Sequence, residues 1–436
     1  MQYKRFLFLL PLFLLHCQGS ESTTTEAVAD TSFVNERVVA PEPPKQVVTG
    51  AEVLLRERLP ELEGKRIALV ANNTTRLPDG THLVDALLAQ GVSLVKVFAP
   101  EHGFRGDADA GQKVRSSVDP ATGLPLVSLY GSNKKPSKEQ LADVDLVLFD
   151  IQDVGARFYT YISTMSYVME ACAESQLPIW ILDRPNPNGW YVDGPVLDPR
   201  FESFIGMHPI PIVHGMTVGD YARIVNGEGW LSGKVSVEME VVACEHYRHD
   251  MHWSETGLPW VAPSPNLATE YAAYLYPALC WFEPTPVSIG RGTDSAFTMV
   301  GSSWLASAPT ARIDESGSFE LYGHALFPFT FTPRSLPGKS TSPKYQDREI
   351  AGYRIHERSS GKALMLLGVS LFSQLYESAP ASEKKGYFKQ NFERWPGNSR
   401  FRAQIEAGDS PEAIYDSWQQ EVEAFKVVRG RYLGYE

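Results

Sequence analysis

The sequence predicts an α/β protein: a largely parallel sheet built from βαβ units, followed by a smaller part that mixes strands with helices. Three observations carry this prediction. The chain is 436 residues long with 43% hydrophobic, 21% charged and 11% aromatic side chains, enough to build more than one core. From residue 48 onward, short apolar runs alternate with amphipathic stretches. Several of those runs end abruptly in polar clusters, as strands do when their carboxyl ends border a crevice.

The elements follow in order. Residues 66–71 form the first strand, and a helix follows near 83–90. Residues 92–98 make the second strand, 126–130 the third and 145–151 the fourth. A helix around 162–175 leads to a strand at 178–182, and 210–213 reads as another. Thr217 with Asp220 has the form of a capping box, opening a helix that ends near Asn226-Gly227. Residues 234–243 alternate well enough for one more strand. Beyond Pro265 the chain carries Tyr/Trp/Phe-rich strands and helices at 362–376 and 410–422. The Pro-rich stretch 328–343 reads as a surface loop, and Arg394-Trp395-Pro396-Gly397-Asn398 as a turn. The organisation is then a leader at 1–17, a tether at 18–47, a first domain at 48–265 and a second at 266–436.

The leader has Lys4 and Arg5, an apolar run too short to span a bilayer, and Cys17. Leu14-Leu15-His16-Cys17 resembles a lipoprotein cleavage box, with Cys17 as the lipidated residue, although His16 stands where a small residue is usual. Ordinary secretion is the alternative. The tether is rich in Ser, Thr, Glu, Val and Pro and has little apolar periodicity. Some 30 flexible residues reach roughly 30 Å. The expectation is an exported protein, periplasmic or at the cell surface, held by a lipid anchor and meeting polymers rather than cytosolic metabolites. Cys172 and Cys280 lie in apolar surroundings and read as small buried hydrophobes. A net charge of −12 disfavours nucleic acid, which selects for a basic footprint.

Four strand ends supply the chemistry. They are Asn72-Asn73-Thr74-Thr75, Pro100-Glu101-His102-Gly103, Asp150-Ile151-Gln152-Asp153 and Asp183-Arg184-Pro185-Asn186. No G-x-G-x-x-G follows the first strand, so no dinucleotide cofactor is expected. Neither a G-x-S-x-G elbow nor an H-E-x-x-H is present. Carboxylates around one polar crevice suit glycosidic cleavage, where one group protonates the leaving oxygen and another acts as base or nucleophile. Glu101 is the first choice of acid. Asp150 and Asp153 are candidates for its partner, while Asp183 with Arg184 can equally be an ion pair holding the loop.

Phe98-Ala99-Pro100-Glu101-His102-Gly103-Phe104-Arg105-Gly106 and Asp150-Ile151-Gln152-Asp153-Val154-Gly155-Ala156-Arg157-Phe158-Tyr159-Thr160-Tyr161 resemble blocks of the NamZ-like peptidoglycan β-N-acetylmuramidases. So do Leu182-Asp183-Arg184-Pro185-Asn186-Pro187, Pro263-Ser264-Pro265-Asn266 and Gly290-Arg291-Gly292-Thr293. The resemblance runs from about residue 48 to the C-terminus. It implies a Rossmann-like first domain, a smaller α+β second domain and a cleft between them. It also implies exo-acting release of N-acetylmuramic acid from non-reducing ends of peptidoglycan fragments such as MurNAc-GlcNAc. Glu101 matches the family's cleft glutamate, and Tyr159 and Tyr161 its aromatic motif. Asp150, Asp153 and Tyr159 compete as partner of Glu101.

Asn72, His102, Gln152, Tyr161, Asp183, Arg184, Asn186 and Asn266 are expected around the substrate. One departure stands at Thr285-Pro286-Val287, where asparagine would be more typical than Pro286. Arg105, Arg157 and Arg291 are the candidates to read the lactyl carboxylate of muramic acid, since a guanidinium binds a carboxylate through two parallel hydrogen bonds. Trp190, Tyr191, Trp253 and Trp260 can stack on sugars or pack internally. The cluster Cys244, His246, His249, Asp250 and His252 invites a metal reading but lacks the second ligand pair such sites use; no metal is expected. The rival functions are a non-catalytic muropeptide- or sugar-binding lipoprotein and a metal-dependent deacetylase or phosphatase.

Overall fold

The strands predicted at 66–71, 92–98, 126–130, 145–151, 178–182 and within 234–243 lie side by side in one sheet. The structure, a computed structural model, describes residues 45–101, 103–105, 117–305, 318–356 and 361–436. The leader, Cys17 and all but the last three residues of the tether therefore lie outside the described residues, as does His102.

The first sheet contains β1 (Ile67–Ala71), β2 (Leu94–Ala99), β3 (Ser117–Val118), β4 (Pro125–Ser128), β5 (Leu146–Asp150), β6 (Ile179–Leu182) and β7 (Met239–Val242). Its order is β3-β4-β2-β1-β5-β6-β7, with every pairing parallel except β3 with β4. A second, four-stranded antiparallel sheet is formed by β8 (Met299–Ser302), β9 (Phe319–Leu321), β10 (His324–Phe331) and β11 (Ile350–His356), in the order β8-β11-β10-β9. The chain is thus α/β with a smaller second domain.

The helices are α1 (Gly50–Val53), α2 (Leu83–Ala89), α3 (Lys138–Leu141), α4 (Tyr161–Ser175), α5 (Val218–Gly227) and α6 (Glu270–Leu279). They continue with α7 (Gly361–Ser378), α8 (Ala381–Lys384), α9 (Arg400–Ala407), α10 (Pro411–Asp416) and α11 (Gln419–Arg429).

Alternation along each strand divides the core. Ile67, Leu69 and Ala71 of β1 pack with Leu146 and Leu148 of β5 and with Leu83, Val84 and Leu87 of α2. Ala68, Val70, Val147, Phe149, Ile179 and Ile181 face the other way, toward α4, α5, α6 and α7. That second core also holds Val300, Leu326 and Ile355 of the antiparallel sheet. Both faces of β1 and β5 are therefore covered, as a parallel sheet requires. The order places β1 beside β5 while β2 and β6 lie outward on opposite sides. This is a topological switch point, and its crevice opens at the carboxyl ends.

Several expectations are corrected. Residues 210–213 make only isolated bridges from Val213 to Ala156 and Asp193, because Pro209 and Pro211 lack the donors a ladder needs. Strand β7 is shorter than 234–243, since a 3₁₀ turn occupies Ser232–Lys234. Residues 328–331 belong to β10 rather than to a loop; Pro328 is tolerated because β9 pairs only as far as Leu326. The aromatic strands expected beyond Pro265 include β10, while the run at Glu270–Leu279 is helix α6, with Thr269 Oγ1 accepting from Ala272 N at 3.1 Å. Residues 410–422 break into α10 and α11 where Trp418 turns inward to donate to Asp193 Oδ1 at 3.0 Å. The capping box at Thr217 and Asp220 is present as predicted, and Cys172, Cys244 and Cys280 are free and buried.

Candidate active site

The loops after β1 and β5 are sewn together at the switch point. Asn72 Oδ1 accepts from Thr74 N and Oγ1 at 2.9 and 2.6 Å. Thr74 Oγ1 accepts from Gln152 N at 2.9 Å, and Thr75 Oγ1 donates to Asp150 O at 2.5 Å. His82 Nε2 donates to Asn72 O at 2.9 Å, fixing the same loop from below. Gln152 spends its amide N–H groups on the carbonyls of Asp153 and Pro185. Two adjacent strand ends thus become one rigid floor.

The four acidic candidates separate by environment. Asp150 is fully buried and receives Arg184 Nε and Nη2 at 2.5 and 2.8 Å. Asp183 is equally buried and accepts from Thr217 Oγ1, Gly219 N and Tyr435 Oη at 2.7, 2.9 and 2.7 Å. It holds α5 and the chain's C-terminus, and Arg184 pairs with Asp150 rather than with it. Asp153 accepts from Gly155 N at 2.8 Å through one oxygen, while its other oxygen is buried without a partner among the described residues. Burial pushes its carboxyl up to about 7. A cavity of about 10 Å³ beside it, lined also by Gln152, Arg184, Asn186 and His214, has room for a single water. Glu101, just beyond β2, is only half-buried.

That environment makes Asp153 testable through stability. An acid whose folded titration lies above its unfolded one binds a proton that the unfolded chain has released. Stability is then fully present below about pH 4 and is lost as the pH rises toward 7. Asp153→Asn is expected to remove that loss, making the variant more stable than wild type at pH 8 by a few kcal/mol, about 4 at most. Denaturant titrations at pH 5 and pH 8 measure the difference; an equal effect at both would refute it.

Hydroxyls surround Glu101. Thr160 occupies the N-cap of α4 yet makes no capping bond; its Oγ1 donates to Glu101 Oε2 at 2.9 Å. Tyr130 lies against the same carboxylate, and burial together with that charge pushes its phenol up. Burial raises the Tyr161 phenol too, with smaller contributions from Glu101 and Asp153, so both acids lie near this ring. Tyr161 Oη donates to Pro263 O at 2.7 Å. Tyr159 packs edge-on to Tyr161 and Tyr276, at 4.9 and 5.6 Å between centroids. Its hydroxyl is buried without a partner among the described residues. Asn72 Nδ2 and Asn266 Oδ1 are likewise unpartnered, while Asn266 Nδ2 donates to Lys339 O at 2.8 Å. Of these groups, Tyr130, Tyr276 and the use of the Thr160 hydroxyl had no sequence signal beyond their place near strand ends and motifs.

Thr160 acts on Glu101 without capping α4, so its removal separates activity from folding. Thr160→Val is expected to lower kcat about tenfold while KM and the melting temperature hold. A matching fall in stability would mark the residue as structural.

The remaining candidates resolve as follows. Arg157 is buried, donating to Pro195 O, Ile210 O and Trp395 O at 2.7, 2.8 and 2.9 Å. It ties distant segments together, and both of its terminal amino groups are engaged by these carbonyls. Asn186 Nδ2 donates to Met216 O at 2.8 Å, and its side chain packs against Gly155 (φ 73°), where a Cβ would lie 2.2 Å away. Arg105 binds Asp119 through Nε and Nη2 at 3.2 and 2.8 Å. Arg291 donates from Nε to Glu283 Oε1 at 2.6 Å. Around Pro286 the turn is held without an asparagine, because Thr285 Oγ1 donates to Phe282 O and accepts from Val287 N. Trp190 stacks on Tyr274 and Trp253 meets Trp260 edge-on, so these rings are engaged in packing.

The Cys/His cluster is dispersed. His249 Nε2 faces Asp220 Oδ2 at 3.1 Å, Cys244 Sγ donates to Asp183 O, Asp250 pairs with Arg248 and His252 packs on Trp190. Among the described residues, no three His, Cys, Asp or Glu side chains are grouped to hold a metal ion.

Residues 67–271 match the family model described as the N-terminal part of the exo-β-N-acetylmuramidase NamZ, and residues 274–435 match its C-terminal part. The peptidoglycan β-N-acetylmuramidase NamZ of Bacillus subtilis is 37% identical over 416 residues, covering 95% of this chain and 96% of that protein. Two crystal structures of DUF1343 family proteins from Bacteroides fragilis are similar throughout. One is 38% identical with a TM-score of 0.76, the other 29% with 0.77; each comparison covers 90% of this chain and 99% of the other.

Proposed function

The chain belongs to the NamZ family of exo-β-N-acetylmuramidases, and on that premise we propose that it releases N-acetylmuramic acid from the non-reducing ends of peptidoglycan fragments, with Glu101 as the general acid/base. The protein is a glycosidase of the peptidoglycan-acting β-N-acetylmuramidase type. One observation carries the assignment of Glu101: among the four acidic side chains at the strand ends it is half-buried while the other three are buried. Asp150 and Asp183 are committed to holding the floor and α5. A group that must exchange a proton with a glycosidic oxygen has to reach it.

Asp153 is the second titrating group of this reading. Its carboxyl exchanges a proton near neutrality and neighbours the Tyr159 phenol. Tyr159, Asn72 and Asn266 present polar atoms without a partner among the described residues, suited to sugar hydroxyl or acetamido groups. A polymer of the cell wall places the work outside the cytosol. Among the described residues no helix is long and apolar enough to cross a membrane, and attachment through a lipid on Cys17 would keep the enzyme beside its substrate.

The test is incubation of the purified protein with MurNAc-GlcNAc and with longer glycan chains, following the products by mass. Free N-acetylmuramic acid appearing one unit at a time from the non-reducing end supports the proposal. Tight binding of these fragments without hydrolysis would replace it with a sugar-binding role.

A further inference from the structure

The muramidase reading leaves open how the lactyl carboxylate is recognised by a chain of net charge −12. The arginines near the strand ends are mostly spent. Arg184 gives two bonds to Asp150, Arg105 two to Asp119, and Arg157 is buried among three backbone carbonyls.

Arg291 differs. Only its Nε is used, toward Glu283, and its two terminal amino groups make no hydrogen bond with a described residue. The guanidinium sits 5.0 Å from the centre of the Phe297 ring. Gly290 and Gly292, with φ of 80° and 83°, flank it, and a Cβ on Gly292 would lie 2.7 Å from Arg334 O. The glycines confine the loop backbone, and the Nε bond to Glu283 orients the guanidinium.

Charge around it is unbalanced. The Glu283 carboxylate is held low by Arg291, Lys344 and Lys389 together, against burial. The Lys344 ammonium donates to Phe282 O and Val287 O at 2.9 and 2.7 Å, and the Glu283 carboxylate is shared by three cations. A run of rings connects this spot to the acid/base: Phe297 to Tyr276 at 4.8 Å, Tyr276 to Tyr159, and Tyr159 to Tyr161.

We propose that Arg291, braced by Glu283 and backed by Lys344, forms an anion subsite that takes the lactyl carboxylate of the muramic acid residue through its two terminal amino groups. The proposal rests on the muramidase reading. A planar fork matches a carboxylate with two parallel bonds, and the cation surplus makes the spot favourable for an anion alone. A glucosamine residue lacks that carboxylate and leaves the fork empty, so the subsite discriminates between the two sugars of the polymer.

The test uses calorimetric binding of N-acetylmuramic acid, its lactyl amide and N-acetylglucosamine to the full chain. It is paired with kcat/KM on β-N-acetylmuramides carrying the free acid or the amide. Arg291→Gln is expected to weaken binding of the acid about 100-fold and to narrow the preference for acid over amide by a similar factor. Arg291→Lys keeps the charge beside Glu283 but loses the fork, and is expected to fall between the two. It serves as the working variant if Arg291→Gln fails to fold. Equal losses for acid and amide, or no loss for either, overturn the subsite. If wild type binds the acid in preference to the amide but hydrolyses neither glycoside, the subsite stands and the enzymatic reading falls.

Discussion

Glu101→Gln is expected to lower hydrolysis of a β-N-acetylmuramide by about 10²–10⁴-fold, with binding of the sugar and the melting temperature unchanged. Each part of that expectation follows from the surroundings of the side chain. Glutamine keeps the size of glutamate, and its amide oxygen still accepts from Thr160 Oγ1, so the local packing survives. What disappears is the transferable proton. The loss should appear in kcat, because the proton moves only as the glycosidic bond breaks. A chromogenic leaving group of low pKa needs little protonation and should recover part of the rate of the bond-breaking step. The same variant tested on the natural disaccharide should show the full loss. Unchanged turnover on both substrates would remove Glu101 from the chemistry and leave Asp153 as the remaining titrating acid.

How much of this was legible in the residues differs from group to group. Strands β1 and β5 were readable because both of their faces are covered, leaving runs with no polar interruption. Their polar ends were readable for the same reason: a cluster that follows a fully apolar run marks the rim of a parallel sheet. The partners of those polar residues were not readable. Asp183 and Arg184 are neighbours in sequence, which suggests a pair, yet successive residues at a strand end point in different directions. Arg184 reaches across to Asp150, 34 positions away, while Asp183 turns toward α5. Arg157 sits inside a motif rich in candidate ligands, and nothing local reveals that Ile210, Pro195 and Trp395 will close over it. Arg291 stood among three equal candidates, and only the pairing of the others singles it out. Patterning gives location along the chain; commitment of a charged group depends on residues far away in sequence.

Asp150 shows the consequence of that distinction in its largest form. In the sequence it is one of the acids that compete as partner of Glu101, but its geometry predicts a folding role. Asp150→Asn is expected to destabilise the protein by about 3–5 kcal/mol, lowering its melting temperature by roughly 5 °C in a chain of this length. The reason is the partner left behind. Arg184 is 7% exposed and pairs with Asp150, with one further bond to Arg76 O at 3.2 Å. Removing the negative charge strands a guanidinium in the interior, and that penalty exceeds the attraction lost. Replacing both partners with apolar side chains of similar volume, Asp150→Leu with Arg184→Met, should therefore recover most of the stability that the single change removes. The double variant is also the sharper discriminator. If Asp150 only holds the floor beneath Asn72 and Gln152, the apolar pair keeps turnover within about tenfold of wild type once it is folded. If a stable double variant, or an undestabilised Asp150→Asn, instead loses turnover as completely as Glu101→Gln, the carboxylate is reaching the substrate and Asp150 belongs with the catalytic groups.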